Sequence, residues 1–168
     1  MAKSRLCDSP CSIARTLAVV GDPWSVLILR DAFFGTTRFA DFRASLGIAP
    51  DVLSARLAAL VDEGVLERRP YQEPGRRARD GYHLTPAGRD LKLVLGALQQ
   101  WGDDHRPREE GPTVARRAAG TGHPLAVAFV DDEGAVVEAT DATFAPTAAY
   151  PRATAVSSPR PEGRRDPR

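Results

Sequence analysis

The chain has 168 residues and a formal net charge of +1, with 42% hydrophobic and 27% charged side chains. That length suits one domain, alone or with an extension, and the apolar content is enough to bury a core. So small a net charge excludes bulk attraction to nucleic acid as an argument, and any such case must rest on local charge. No apolar run is long enough to cross a membrane. The opening residues, Met1-Ala-Lys-Ser-Arg-Leu-Cys-Asp, lack the apolar stretch of a secretory signal. A cytoplasmic protein is the expectation. Cys7 and Cys11 are too few for a disulfide framework, and a cytosolic setting keeps both reduced.

Taken in order, Pro10 to Val20 reads as a first helix, with Ile13, Leu17 and Val20 on one side and Gly21 ending it. Asp22-Pro23-Trp24 is a start signal, with Asp22 as N-cap and Pro23 at the first helical position. The second helix, Trp24 to Phe34, holds Val26, Leu27, Ile28 and Leu29 in an unbroken run, which predicts burial on most of its circumference. Gly35 stops it. Arg38 to Leu46 makes a short third helix with Phe39, Phe42 and Leu46 on one face, and Gly47-Ile48-Ala49 is a tight connection to the next. Two short helices joined by a few residues including Gly have the spacing of a helix-turn-helix.

The stretch from Ile48 to Gly64 is the fourth helix. Val52, Leu53, Leu57, Leu60 and Val61 form its apolar stripe. Pro50 suits its first turn, and Gly64 supplies a left-handed terminator. Opposite the stripe lie Asp51, Ser54, Ala55, Arg56, Ala58 and Ala59, small side chains around one long cation. Such a face can lie close in a major groove, where an arginine can pair with both acceptors of a guanine. An ordinary surface helix has the same pattern, and Arg56 could instead bridge to the third helix or to Asp51. Ser54 reads as a phosphate donor or as a plain exposed residue. Arg38 heads the third helix, where the dipole disfavours a cation unless an anion such as phosphate is near.

Val65 to Arg69 and Gly81 to Leu84 read as strands of a hairpin whose long polar tip carries Arg76, Arg77 and Arg79. These flexible cations suit DNA backbone contact more than base readout. Thr85-Pro86 caps a last helix running to about Asp104, with Leu91, Leu95, Leu98 and Trp101 as its stripe. Four helices, a hairpin and a helix is the order of a winged helix-turn-helix, in which one helix enters the major groove and the wing contacts backbone or minor groove. The fold class expected is α+β, mostly helical. Enzyme readings have little support: there is no glycine-rich phosphate loop, no His-Glu-x-x-His motif and no nucleophile elbow. His83, His105 and His123 have no ligand spacing, so no metal or cofactor is expected.

Seven segments in order resemble the HxlR-type transcriptional regulators, related to the MarR group. They are Cys11-Ser-Ile-Ala-Arg-Thr-Leu, Gly21-Asp-Pro-Trp-Ser-Val-Leu-Ile-Leu-Arg-Asp, Arg38-Phe-Ala-Asp-Phe, Ile48-Ala-Pro-Asp-Val-Leu-Ser-Ala-Arg-Leu, Gly64-Val-Leu-Glu-Arg, Tyr82-His-Leu-Thr-Pro-Ala-Gly and Leu98-Gln-Gln-Trp-Gly. The resemblance covers roughly residues 7 to 106. It implies a bacterial winged-helix homodimer that binds near-palindromic double-stranded DNA, and the reading drawn from it is a repressor with an effector or redox input the sequence does not identify. On that reading the DNA-facing set is Arg38, Pro50, Asp51, Ser54, Ala55, Arg56, Arg76, Arg77 and Arg79. The first and last helices would pair through Ile13, Leu17, Leu91, Leu95, Leu98 and Trp101. Cys11 matches the family's N-terminal cysteine, which senses oxidants or electrophiles in some members; a small residue starting a helix is the plainer reading. The chain departs from the family at Pro23, usually basic, at Ala49, usually a Ser cap, and at Asp51, usually Lys, Arg or Asn.

The resemblance stops near residue 106. A polar linker is expected over 107–122 and a β-hairpin extension over 123–144, with strands Leu125 to Val130 and Ala135 to Ala139 packed on the winged domain or across a dimer. Residues 145–168, rich in Pro, Ala, Ser and Arg, read as a disordered tail. Two alternatives stand beside the DNA-binding regulator: a winged-helix module that binds protein, and a regulator driven by thiol chemistry at Cys11.

Overall fold

A computed structural model of the chain describes residues 6–75 and 77–150. Helix α1 (Ser12–Val20) starts after Cys11 and ends at Gly21. The start signal at Asp22 works as expected: its Oδ1 accepts from the backbone N–H groups of Trp24 at 3.0 Å and Ser25 at 3.3 Å. Helix α2 (Pro23–Phe33) follows, with Ile28 and Leu29 wholly buried. Its apolar run is therefore the spine of the core, as its composition predicts.

Helix α3 (Phe39–Leu46) ends at Gly47, whose φ of 61° turns the chain left-handed. Helix α4 (Pro50–Asp62) then lays Leu53, Leu57 and Leu60 into the core beside Phe42 and Ile48. The 3.6-residue period sends these leucines inward and leaves Asp51, Ser54 and Ala55 exposed. Strands β1 (Leu66–Tyr71) and β2 (Arg79–Leu84) pair antiparallel, with Leu66 opposite Leu84 and Tyr71 opposite Arg79. The wing's ladder is thus longer, and its tip shorter, than alternation alone suggests. The outer edge of β2 is also used: Tyr82 N–H donates to the carbonyl of Thr37 at 2.7 Å, and Arg38 bridges Gly81. The wing and the start of α3 are one hydrogen-bonded piece. This is an α+β, mostly helical, winged helix-turn-helix architecture.

The last helix differs from its expected form. It is two helices, α5 (Pro86–Asp90) and α6 (Lys92–His105), meeting at Leu91. There the N–H of Leu91 bonds to Gly88 three residues back, at 3.3 Å, in place of the α spacing. Thr85 Oγ1 accepts from Gly88 N–H at 3.0 Å and donates to Gly64 O at 2.6 Å, tying α5 to the start of β1.

Residues 107–122 do not run as a free linker. Gln99 Nε2 on α6 donates to Val114 O at 2.6 Å, and Arg116 Nη1 lies 3.3 Å from Asp103 Oδ2. The extension's hairpin is shorter than its alternation suggests, only β3 (Phe129–Val130) against β4 (Val136–Val137). The residues expected to lengthen it bond elsewhere: Leu125 N–H donates to Arg116 O at 2.9 Å and Val127 N–H to Gln100 Oε1 at 2.8 Å. Most of the expected tail, 151–168, lies outside the described residues.

Gly88 is the tightest point of this framework, since a Cβ there would sit 2.1 Å from the Val65 carbonyl oxygen. Backbone cannot yield as a flexible side chain would. Gly88→Ala is expected to lower stability by about 1–3 kcal/mol. Urea unfolding followed by far-UV circular dichroism checks this, and a midpoint within error of wild type would contradict it.

Candidate nucleic-acid interface

The α3–turn–α4 corner and the β1–β2 wing bring most of the sequence-predicted cations toward one region. Pro50, Asp51, Ser54 and Ala55 form an exposed strip along the first turns of α4. Its small side chains leave the backbone of α4 close to the surface. Ala49, the N-cap, makes no side-chain cap bond, so the N–H groups of the first turn point outward without a capping partner among the described residues. A helix start of this kind attracts anions.

Arg56 sits at the edge of that strip, about 100° around the helix from Ala55. Its partner is neither the third helix nor Asp51: Nη2 lies 3.0 Å from Oδ2 of Asp22. One carboxylate therefore does two jobs, with Oδ1 capping α2 and Oδ2 holding α4. The Arg56 side chain stays 40% exposed, while its Nε is buried without a hydrogen-bond partner among the described residues. The sequence identifies Asp22 only as a cap. The pairing spans 34 positions and leaves no local trace.

Arg38 also has an anion beside it, but a protein one. Its Nη1 donates to Glu73 Oε1 at 2.7 Å, and its guanidinium lies 5.0 Å from the centroid of the Tyr71 ring. Glu73 and Tyr71 belong to the wing, so the side-chain contact repeats the backbone link between β2 and α3. Tyr71, Phe39, Ala40, Arg79, Asp80 and Tyr82 line an open cleft of about 410 Å³ between α3 and the wing. Arg77 and Arg79 are exposed at the tip, whereas Arg76 lies outside the described residues. Arg69 is paired with Glu67, Nε to Oε1 at 3.0 Å. Sequence reasoning misses Glu73 and Tyr71; an acid within an arginine-rich tip is the signal that could have found the first.

The predicted pairing surface divides. Ile13, Leu17, Leu98 and Trp101 are exposed, Ile13 by 66% and Trp101 by 58%. Trp101 touches His105, ring centroids 5.1 Å apart. Leu91 and Leu95 instead pack on the core of their own chain. Trp24 is likewise a core residue. Cys11 is half-buried at the N-cap of α1 and Cys7 is exposed; both are free thiols. Among the described residues no cluster of metal-ligating side chains occurs and no single helix is long and apolar enough to cross a membrane.

A family model described as HxlR-like helix-turn-helix matches residues 19–110. Rv3095 of Mycobacterium tuberculosis, an uncharacterised HTH-type transcriptional regulator, is 46% identical over 106 residues. That match covers 63% of this chain and 66% of the relative, so the chain spans just under two thirds of the relative's length. Among solved structures, the crystal structure of PA1607, a candidate transcription factor, has a TM-score of 0.73 at 36% identity, covering 86% of this chain and 99% of that one. The redox regulator HypR in its reduced form has a TM-score of 0.52 at 27% identity, covering 57% of this chain and 94% of its own.

The double use of Asp22 has a measurable consequence. Asp22→Ala removes an N-cap, worth about 0.5–2 kcal/mol, and strands the half-buried Arg56. A loss at the upper end of that range or above is expected in urea unfolding, and adding Arg56→Met should recover part of it. Strict additivity of the two substitutions would show the pair to be uncoupled.

Proposed function

The chain belongs to the HxlR-like helix-turn-helix family, and from that premise we propose that it is a cytoplasmic, non-enzymatic transcriptional repressor that binds a near-palindromic operator as a homodimer. The observation that carries this reading is the exposed strip of α4 together with a wing hydrogen-bonded to the helix before it. An exposed strip of small residues, Pro50, Asp51, Ser54 and Ala55, starts at an uncapped helix terminus, and Arg38, Arg77 and Arg79 lie on the elements beside it. In the proposed complex α4 enters the major groove, with Ser54 and the first-turn N–H groups against phosphate. Arg56, anchored by Asp22, contributes at the groove edge, its fork already oriented. The cations at the wing tip, Arg76 included by sequence, contact backbone. Asp51 weakens phosphate attraction at the helix start and shifts discrimination toward base edges that donate, such as the cytosine amino group.

The homodimer reading draws on Ile13, Leu17, Leu98 and Trp101, large apolar side chains left exposed on α1 and α6. A symmetric pair of recognition helices predicts two half-sites about one DNA turn apart. A further reading, thiol control through Cys11, draws on the free and half-buried cysteine that starts α1 and on the likeness to HypR. Oxidation there would act on the proposed pairing face and so on the spacing of the two α4 helices.

The protein is expected to bind DNA upstream of its own gene, saturably and in the presence of competitor, with affinity falling as salt rises. Replacing Arg76, Arg77 and Arg79 together by Gln should weaken binding to all sequences and flatten the slope of log affinity against log salt by about 0.9 for each phosphate no longer neutralised. An unchanged slope would favour the alternative of a protein-binding winged module. For the thiol reading, diamide should release wild-type protein from this DNA and leave Cys11→Ser bound. Equal release of both proteins removes Cys11 as the sensor.

A further inference from the structure

Positive charge concentrates at the head of α3. Arg38 is the N-cap there, with extended backbone and no side-chain cap bond. The helix dipole and the guanidinium act in the same sense, so the position favours an anion. The wing delivers one. Glu73 Oε1 accepts from Arg38 Nη1 at 2.7 Å, and two residues earlier the Tyr71 ring centroid lies 5.0 Å from the guanidinium carbon. The guanidinium therefore lies over a phenol ring while one of its N–H groups is taken up by a carboxylate. These contacts do not come from a loose arm. Tyr82 N–H donates to Thr37 O at 2.7 Å, and Arg38 and Gly81 form a bridge. Backbone bonds fix where Arg38 stands relative to the wing before any side chain is considered.

Glu73 is an acid on a surface otherwise suited to an anion. Arg77 and Arg79 are exposed on the same wing, and the uncapped start of α4 belongs to the next helix. The Arg38–Glu73 pair is solvated, with 47% of one side chain and 39% of the other exposed. A pair so exposed adds little to folding, and stability gives no reason for a carboxylate at this position. Its effect on a polyanion is larger. When a phosphate oxygen approaches Arg38, the carboxylate either leaves the guanidinium or stays and repels a like charge.

We propose that Glu73 is a built-in competitor of the DNA backbone, a carboxylate that holds Arg38 in the place of a phosphate and so sets the affinity of the α3–wing surface. The inference rests on the DNA-binding reading above and deepens it. Phosphates carry no sequence information, so the competition lowers affinity for every duplex and leaves base preference to α4. It also follows from the charge of the chain. With a net charge of +1, positive potential exists only locally, and one internal carboxylate removes a large share of it. Tyr71 has the complementary role. Stacked on the guanidinium, it keeps Arg38 at one place in both states, so that anions exchange while the cation stays.

The test is a fluorescence anisotropy titration of a labelled random-sequence duplex with the full-length protein at several salt concentrations. Wild type, Glu73→Gln, Arg38→Gln and the double variant form a cycle. Glu133→Gln, in the turn between β3 and β4, makes the same change in net charge on a different element. Because the Glu73 side chain is partly exposed, its variant should keep the wild-type far-UV spectrum. The expected result is a Kd about 3–5-fold lower for Glu73→Gln at low salt. That gain should shrink as salt screens the charges and vanish when position 38 is already Gln, while Glu133→Gln stays at the wild-type value. Glu73→Gln binding no tighter than Glu133→Gln overturns the inference and leaves the DNA-binding reading intact. A gain that survives in the Arg38→Gln background does the same, since Glu73 then acts only as bulk charge. A wild type that binds at no salt concentration while Glu73→Gln binds supports the competition in its strongest form. Failure of both proteins to bind overturns the DNA-binding reading and this inference with it.

Discussion

The carboxylate of Asp22 is the point on which the geometry of the proposed DNA-facing surface depends. Helix α2 is the buried spine, and the start of that spine is set where Oδ1 takes the N–H groups of Trp24 and Ser25. The other oxygen takes Arg56 from α4. A cap fixes where a helix begins, and an ion pair fixes where a neighbour lies. Here the same atom group does both, so α4 cannot rotate about its axis without disturbing the start of α2. Arg56 Nε is buried without a partner among the described residues, which raises the cost of losing the carboxylate that compensates its charge. The face that α4 presents is thus a consequence of core packing on one side and a single carboxylate on the other.

The wing is held by a different kind of contact. Backbone bonds from β2 to Thr37 and the bridge from Gly81 to Arg38 carry the geometry, and the Arg38–Glu73 pair adds a side-chain link that is largely exposed on both members. Exposed pairs of this sort contribute little to stability, about 0–1 kcal/mol, and weaken with salt. Their importance is electrostatic. Glu73 occupies the position at the head of α3 that a phosphate would take in the proposed complex, where Arg38 would exchange one anion for another. A chain with net charge +1 has little general attraction for a polyanion, and such local exchanges govern how much of its positive potential is available.

Most of the winged architecture is legible in the sequence because its signals are local and repeat. Pro after a capping position marks three helix starts, at Asp22-Pro23, Ala49-Pro50 and Thr85-Pro86, and Gly47 and Gly64 mark two ends where φ is 61° and 68°. The leucines of α4 fall on one face with the right period. What stays hidden is set by contacts between distant positions. The partner of Arg56 lies 34 residues away. The break at Leu91 and the close approach of Gly88 to Val65 are features that no stripe of apolar residues reveals. The extension reads as linker plus hairpin because alternation is its visible pattern; its true anchor, a glutamine amide bonding a backbone 27 residues on, has no periodic signature. The same blindness makes Leu91 and Leu95 look like part of an exposed stripe that they leave one turn before Leu98.

The last helix also divides its surface among several neighbours. Helix α5 is clamped to the start of β1 by Thr85 and by the close approach of Gly88. Leu91 and, one turn on, Leu95 pack on the core, which leaves the later turns of α6 free to hold other things. Small and amide side chains on one side, Gly96, Gln99 and Gln100, take a polar backbone strap. Large apolar ones on the opposite side, Leu98 and Trp101, are exposed, with Trp101 against His105. Chemistry sorted in this way along a single helix lets one side carry the extension while the opposite side stays apolar and open.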